Sequence, residues 1–96
     1  MTSAVFHPAA AVELRDQAVI YEAQRVGLGT AFLEAVNTAV ARIERFPLSG
    51  VATVAGARRV VLRRFPVSVV YRLVGAEMVV LAVAHHARSP GYWAAR

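Results

Sequence analysis

The apolar residues of this chain change their spacing near Pro47, and that change limits the folds that the chain can adopt. Before Pro47 they recur every three or four positions, as on one face of a helix. After Arg58 they come in short runs rich in valine, which are typical of β-strands. The sequence therefore predicts helices in the first half and a sheet in the last third.

Two helices are predicted before Pro47. The first follows a strand candidate, SAVFH, and begins near Pro8, because proline suits the first turn of a helix. It runs to about Arg25 with the apolar stripe Ala10, Leu14, Ala18 and Tyr21. The glycines of VGLG end it, and the second helix has the stripe Leu28, Phe32, Val36, Ala39, Ile43 and Phe46. We expect an antiparallel helix hairpin.

The turn-rich segment Pro47–Ala57 is predicted to be a loop, and three strands follow it: RRVVLRR, VSVVYRL and EMVVLAVAHH. The last strand is almost continuously apolar, which favours a central position in the sheet. Gly75 and Ala76 can form a two-residue type II′ turn with glycine first. The fold class predicted is α+β, with an N-terminal strand, a two-helix hairpin and a mainly antiparallel C-terminal sheet.

That turn fixes a register in which Val74 opposes Glu77. One face is then wholly apolar and should lie against the helices: Val67, Val69, Tyr71, Leu73, Met78, Val80, Ala82 and Ala84. The opposite face carries Ser68, Val70, Arg72, Val79, Leu81, Val83 and His85. We expect this second face to be open, with Arg72 and His85 available to a partner or substrate.

Length and composition exclude several classes of protein. A chain of 96 residues has material for one modest core, so residues 1–96 are predicted to form a single domain. It has no cysteine, which excludes disulfides and thiolate metal sites, and we expect no cofactor. No apolar run approaches the roughly 18 residues of a membrane span, and the N-terminus does not resemble a signal peptide. We expect a cytoplasmic protein that does not enter membranes.

The charge is strongly positive and comes from arginine alone. The sequence has eleven arginines, no lysine and a net charge of +5. Arginine binds phosphate or carboxylate through two parallel hydrogen bonds, so this surface favours an anionic partner such as nucleic acid or an acidic protein segment. Compositional replacement of lysine by arginine is the alternative explanation, and net charge alone does not decide between them.

Five residues are candidates for partner binding: Arg59, Arg63, Arg72, His85 and Arg88. The arginines of ARRVVLRRF have an alternative role, because charges on an edge strand discourage unwanted strand pairing. Arg88 follows the last strand and could either cap local carbonyls or present charge to a partner. His85 and His86 are adjacent on a strand and leave opposite faces, so they cannot readily share a metal ion, and no metal site is predicted.

Three residues are predicted to have structural roles: Tyr71, Pro90 and Trp93. Trp93 follows Pro90 and Gly91 in the tail that ends the chain. A tryptophan ring buries a large apolar area and keeps its N–H for one hydrogen bond. We therefore expect the tail to fold back and cover apolar surface.

In this order the segments resemble the ParE/RelE superfamily of toxins from bacterial type II toxin–antitoxin modules. The resemblance rests on FHPAAAVELRDQAVIYEA, GLGTAFLEAVNTAVARIERFPLSG, RRVVLRRFPVSVVYRL with its Arg-Phe-Pro junction, and VAHHARSPGYWAAR. It covers nearly the whole chain. It implies a two-helix hairpin against an antiparallel sheet, and a cognate antitoxin protein that wraps around the toxin.

The resemblance implies one of two activities. RelE-like members cleave mRNA on the ribosome, and their catalytic set would map onto Arg63, Arg72, His85, His86, Arg88 and Tyr92. ParE-like members inhibit DNA gyrase and are not thought to be enzymes. The absence of lysine and the tail SPGYWAAR favour the ParE-like branch, with gyrase rather than the ribosome and mRNA as the target.

A basic nucleic-acid-binding module without toxicity is the third alternative. Only the net charge supports it. Base stacking would require exposed aromatic side chains between the arginines, and the sequence offers few.

Overall fold

The structure, a computed structural model, describes residues 2–96 and contains two helices and five strands. Strand β1 is Ala4–Phe6, and the helices are α1, Pro8–Gln24, and α2, Leu28–Arg45. The remaining strands are β2, Val51–Ala52; β3, Arg58–Val61; β4, Val67–Val74; and β5, Glu77–His85. A single 3₁₀ turn, Val54–Gly56, lies between β2 and β3. The predicted α+β class and the two-helix hairpin are confirmed.

Local contacts explain where the helices begin and turn. His7 caps α1, because its Nδ1 accepts a hydrogen bond from the Ala9 N–H at 3.1 Å, and Pro8 occupies the first turn. Between the helices, the Glu22 carboxylate accepts from the N–H groups of Gly27 and Gly29 at 2.9 and 3.0 Å. A Cβ on Gly29 would lie 2.6 Å from the Ala18 carbonyl oxygen, so the close crossing of the helices requires glycine there.

The strands form one sheet in the order β1-β5-β4-β3-β2. β1 is parallel to β5, and the other pairs are antiparallel. The central position predicted for the last strand is confirmed, since β5 lies between β1 and β4. The segment Pro47–Ala57, predicted as a loop, contains the short strand β2, and β3 ends at Val61, so Arg63 and Arg64 lie beyond the strand that was predicted to contain them.

The predicted β4–β5 register is correct only up to Tyr71. Gly75 has φ +61°, as the first position of a type II′ turn requires, and the pairs run from Val74–Glu77 to Tyr71–Val80. A β-bulge follows, so Val70 pairs with Ala82 and Leu81 is the extra residue.

The bulge exchanges the faces of the β5 side chains from Ala82 to Ala84. Val83 was predicted on the open face but lies in the core with the helices, whereas Ala82 and Ala84 pack on the opposite side with Trp93. His86 bonds to Ser68 on that opposite side. His85, at the end of β5, pairs with Val67 and also lines the cavity on the side of the tail.

Two apolar clusters lie on the two sides of the sheet. The larger one joins α2 to β4 and β5 and contains an aromatic group of Tyr21, Phe32 and Phe65 with ring centroids 5.0 to 5.2 Å apart. The smaller one contains Trp93 against Ala57, Val70, Leu81, Ala82 and Ala84. The face that was predicted to be open is therefore partly covered by the C-terminal tail.

Candidate functional site

The C-terminal tail lies on the sheet face away from the helices. A turn brings it back, with Gly91 at φ +75° and the Tyr92 N–H bonded to the Ser89 carbonyl at 3.3 Å. Trp93 is then only 5% exposed and packs on β4 and β5. The ring excludes water from a patch of valine, leucine and alanine side chains, which stabilises the tail in this position.

Glu13 of α1 anchors the tail. Its carboxylate accepts hydrogen bonds from the Tyr92 hydroxyl at 2.8 Å and from both terminal nitrogens of Arg96 at 3.0 Å. Arg88 approaches the same carboxylate at 3.4 Å. The Glu13 side chain is 11% exposed, so these charge-assisted bonds are shielded from water. The sequence analysis did not single out Glu13, because nothing in the local pattern of α1 indicates a contact with the end of the chain.

The same contacts close the free edge of β5. β1 pairs only with Met78–Val80, so the next residues of β5 lack a strand neighbour on that side. Side chains replace the strand: Glu13 accepts from the Val83 N–H at 3.1 Å and Arg96 donates to the Leu81 carbonyl at 2.9 Å. Gln17 donates to the Val83 carbonyl at 2.8 Å. The tail and α1 thereby satisfy backbone groups of β5 that have no strand partner beyond the end of β1.

This anchoring changes the acidity of two tail residues. Burial, followed by the hydrogen bond to Glu13, raises the pKa of Tyr92 to about 12. The hydrogen bond to Glu13 also raises the pKa of Arg96. At neutral pH Tyr92 is therefore a firmly protonated donor whose hydroxyl is already engaged.

A cavity of about 310 Å³ lies between the tail and the strands β3 and β4. Its basic lining comes from Arg59, His85, His86 and Arg88, and the walls include Tyr92 and Trp93. Ser68 lies at its floor, 3% exposed, with Oγ 2.8 Å from Nε2 of His86. The structure thus brings Arg59, His85 and Arg88 of the candidate set together, and it adds Ser68, which the sequence analysis did not single out.

The remaining candidates lie elsewhere. Arg72 is on the expected face, but its Nε donates to the Ala55 carbonyl at 3.1 Å in the 3₁₀ turn and it does not line the cavity. Arg63 lines a second groove, of about 540 Å³, between α2 and β3. Tyr71 is buried, where its hydroxyl donates to the Pro47 carbonyl at 2.8 Å and accepts from the Gly50 N–H at 2.9 Å.

The second groove combines an unpaired strand edge with positive charge. β2 pairs only with Arg58 and Arg59, so within residues 2–96 the rest of β3 has no strand neighbour on that side. Val61 is 53% exposed there. The groove is lined by Arg42, Arg59, Arg63 and Arg64, together with apolar residues of α2 and β3. Such a groove can take an extended or helical segment that carries carboxylates.

Two further features describe the residues from 2 to 96. Neither of their helices has both the length and the apolarity that a membrane crossing needs. They also contain no group of three histidine, aspartate or glutamate side chains that could hold a metal ion.

Comparisons with known proteins identify the family. The family model described as ParE toxin of type II toxin–antitoxin system, parDE, matches residues 4–90. A solved structure, described as the chromosomal ParDE TA system from P. aeruginosa, has a similar fold, with a TM-score of 0.64 and 23% identity over 88% of this chain and 96% of that chain. A comparison with curated proteins found no matching sequence. The resemblance seen in the sequence is confirmed, and the chain belongs to the ParE toxin family of type II toxin–antitoxin systems.

Proposed function

We propose that this toxin inhibits DNA gyrase, that a cognate antitoxin neutralises it, and that it is not itself an enzyme. Membership of the ParE family supports the first two parts. The main argument against mRNA cleavage is that the side chains of the RelE-like catalytic set do not lie together. Arg63 and Arg72 lie outside the cavity that holds His85, Arg88 and Tyr92.

Cleavage of RNA needs a base, an acid and cations around one phosphate. The best acid for such a step has a pKa near the working pH. Tyr92 is a poor acid, because burial and Glu13 raise its pKa to about 12 and its proton already lies in a hydrogen bond. His86 has one ring nitrogen, Nε2, in a bond with Ser68 Oγ at 2.8 Å. These features favour a toxin that acts by binding.

The groove between α2 and β3 is the surface that we assign to the antitoxin. An added strand can pair with the free part of β3, and apolar side chains can contact Val51 and Val61, which are 67% and 53% exposed. Carboxylates of the same segment can pair with Arg59 and Arg63. A segment that is disordered when free and combines apolar with acidic residues fits this description.

The gyrase proposal is tested in one induced culture. We expect gyrase supercoiling to be blocked, gyrase–DNA cleavage complexes to accumulate, and transcripts to remain intact. Codon-phased mRNA cuts at translating ribosomes, with gyrase unaffected, would instead establish the RelE-like alternative. In that case Arg72→Ala, His85→Ala or Tyr92→Phe should reduce cleavage by about 10² to 10⁴.

The antitoxin proposal is tested with matched charge reversals. Arg63→Glu should weaken the complex with the product of the adjacent gene by at least tenfold, because it opposes like charges in the groove. Arg25→Glu is the control, since Arg25 is exposed at the end of α1 and does not line the groove. Titration of each purified variant with the antitoxin gives the affinities. Equal affinities for the two variants would remove the antitoxin from this groove.

A further inference from the structure

The cavity beneath the tail has positive charge that its own lining does not neutralise. Two arginines and two histidines line it, and none of its lining residues is acidic. Arg59 makes no side-chain hydrogen bond or ion pair with any residue from 2 to 96. Arg88 shares one carboxylate, Glu13, with Arg96, so the charge of this pair of arginines exceeds that of their partner by one.

The floor of the cavity adds neutral donors to these cations. Ser68 is 3% exposed and is the buried polar residue of the core. Its hydroxyl has one donor and two acceptor sites, and the bond to His86 at 2.8 Å uses only one of them. Val70 and Ala84 line the same cavity. The cavity is thus lined by a serine, two histidines and two arginines, whose hydroxyl, imidazole and guanidinium groups are of the kinds that bind a phosphate.

We infer that this cavity binds one phosphate group of a DNA backbone. The choice of DNA rests on the proposed function, because gyrase is an enzyme that acts on DNA. The aromatic walls support it independently. Trp93 is buried, and the Tyr92 ring is covered by the guanidinium of Arg88 at 3.9 Å and that of Arg96 at 5.1 Å. Neither ring can receive the unstacked bases on which single-stranded RNA recognition depends.

The salt dependence of DNA binding tests this site directly. Each neutralised phosphate contributes about −0.9 to the slope of log K against log salt. Arg59→Gln should therefore reduce the slope by about one for a short duplex and weaken binding about tenfold near 0.1 M salt. Arg25→Gln is the matched control, because it removes the same charge from an exposed residue that does not line the cavity. It should leave the slope unchanged.

A variant that changes no charge distinguishes a specific phosphate site from a surface that is only basic. Ser68→Ala should weaken duplex binding about threefold to tenfold without changing the slope, because it removes a hydrogen-bond donor but no charge. Inorganic phosphate should change the fluorescence of Trp93, the sole tryptophan, and Arg59→Gln should abolish that change. Equal slope losses in Arg59→Gln and Arg25→Gln, or no effect of Ser68→Ala, would overturn the site.

Three further outcomes test the ligand and separate the site from the proposed function. Tighter binding of single-stranded RNA than of duplex DNA of equal length would overturn the assignment to DNA. Gyrase inhibition that survives in Arg59→Gln and Ser68→Ala would reject the cavity as a DNA contact while leaving the proposed function intact. Wild-type DNA binding at the cavity with no effect on gyrase would reject the proposed function and leave the site.

Discussion

Glu13 connects the first helix, the last strand and the C-terminal tail. Its carboxylate accepts hydrogen bonds from the Tyr92 hydroxyl, the Arg96 guanidinium and the Val83 N–H, all within 3.1 Å. A carboxylate that is nearly buried stabilises the fold only when such partners compensate for its lost hydration. The buried Glu13 carboxylate therefore depends on its bonds from Arg96 and Tyr92, and the position of the tail depends on Glu13.

Trp93→Ala is expected to destabilise the protein by about 3 to 5 kcal/mol, because it removes a buried ring and leaves a cavity against β4 and β5. Chemical denaturation measures the free energy of unfolding. Phe46→Ala is the matched control, since that ring is 55% exposed and its loss should cost less than about 1 kcal/mol. A Trp93→Ala protein of normal stability that had lost toxicity would place Trp93 on the functional surface instead.

The raised pKa of Tyr92 predicts that the folded protein loses stability at alkaline pH. Its pKa is raised from 10.0 to about 12 in the folded protein, so the folded state holds the proton more tightly than the unfolded state. The stability that this provides is complete below pH 10 and disappears as the pH rises to about 12.

The comparison with Tyr92→Phe isolates this contribution. Urea denaturation should find the variant less stable at pH 9, with a gap that narrows toward pH 12 because only the wild type loses the Tyr92 contribution. Burial also raises the pKa of Tyr21, so the variant retains part of the alkaline loss. A gap that stays constant over this range would show that the hydroxyl does not titrate as described.

At the level of elements, the helix hairpin depends on the close approach of α1 and α2. Gly29→Ala should destabilise the protein by about 1 to 3 kcal/mol, although alanine favours helices, because the new methyl group would lie 2.6 Å from the Ala18 carbonyl. Thr30→Ala, at an exposed position one residue later, is the control and should be neutral or slightly stabilising. Thermal unfolding of the three proteins gives the order, and a stabilised Gly29→Ala would contradict the crossing geometry.

The β-bulge at Leu81 is the element-level feature that the sequence did not reveal. β5 is almost continuously apolar in the sequence, so no change of pattern marks the extra residue, and the register set by the turn at Gly75 was expected to continue. The extra residue is accommodated where β1 ends, since Glu13, Gln17 and Arg96 satisfy the displaced backbone groups. Because two of these residues are more than sixty positions away from β5, no local pattern reports them.

At the level of the whole molecule, the chain leaves both charge and apolar surface unpaired. The net charge is +5, and Val51 and Val61 remain exposed beside the arginines of the α2–β3 groove. Covering such a surface with an acidic and apolar partner removes both features at once. The surface therefore predicts a strong stabilising effect of the antitoxin.

We expect the antitoxin to raise the unfolding temperature of the toxin on the order of 10 °C at one hundred times its dissociation constant. Such an excess contributes about 2.7 kcal/mol to the folded state, and about 1 kcal/mol shifts the unfolding temperature of a domain of this size by 4 to 8 °C. Scanning calorimetry at increasing antitoxin concentration measures it. A toxin that is equally soluble and thermally stable with and without the adjacent gene product would contradict the proposal.

The sequence by itself determined the α+β class, both helices, the type II′ turn and the family, because each depends on residue spacing within one element or on motifs in a fixed order. Only the tertiary structure decided which groups meet. It placed His86 against Ser68, separated Arg63 and Arg72 from the cavity, and joined Glu13 to the tail. The physical reason is that one extra residue in β5 changes the face of the sheet on which the following side chains lie. Hydrogen bonds from residues distant in the sequence stabilise that irregularity, and no local pattern reports them.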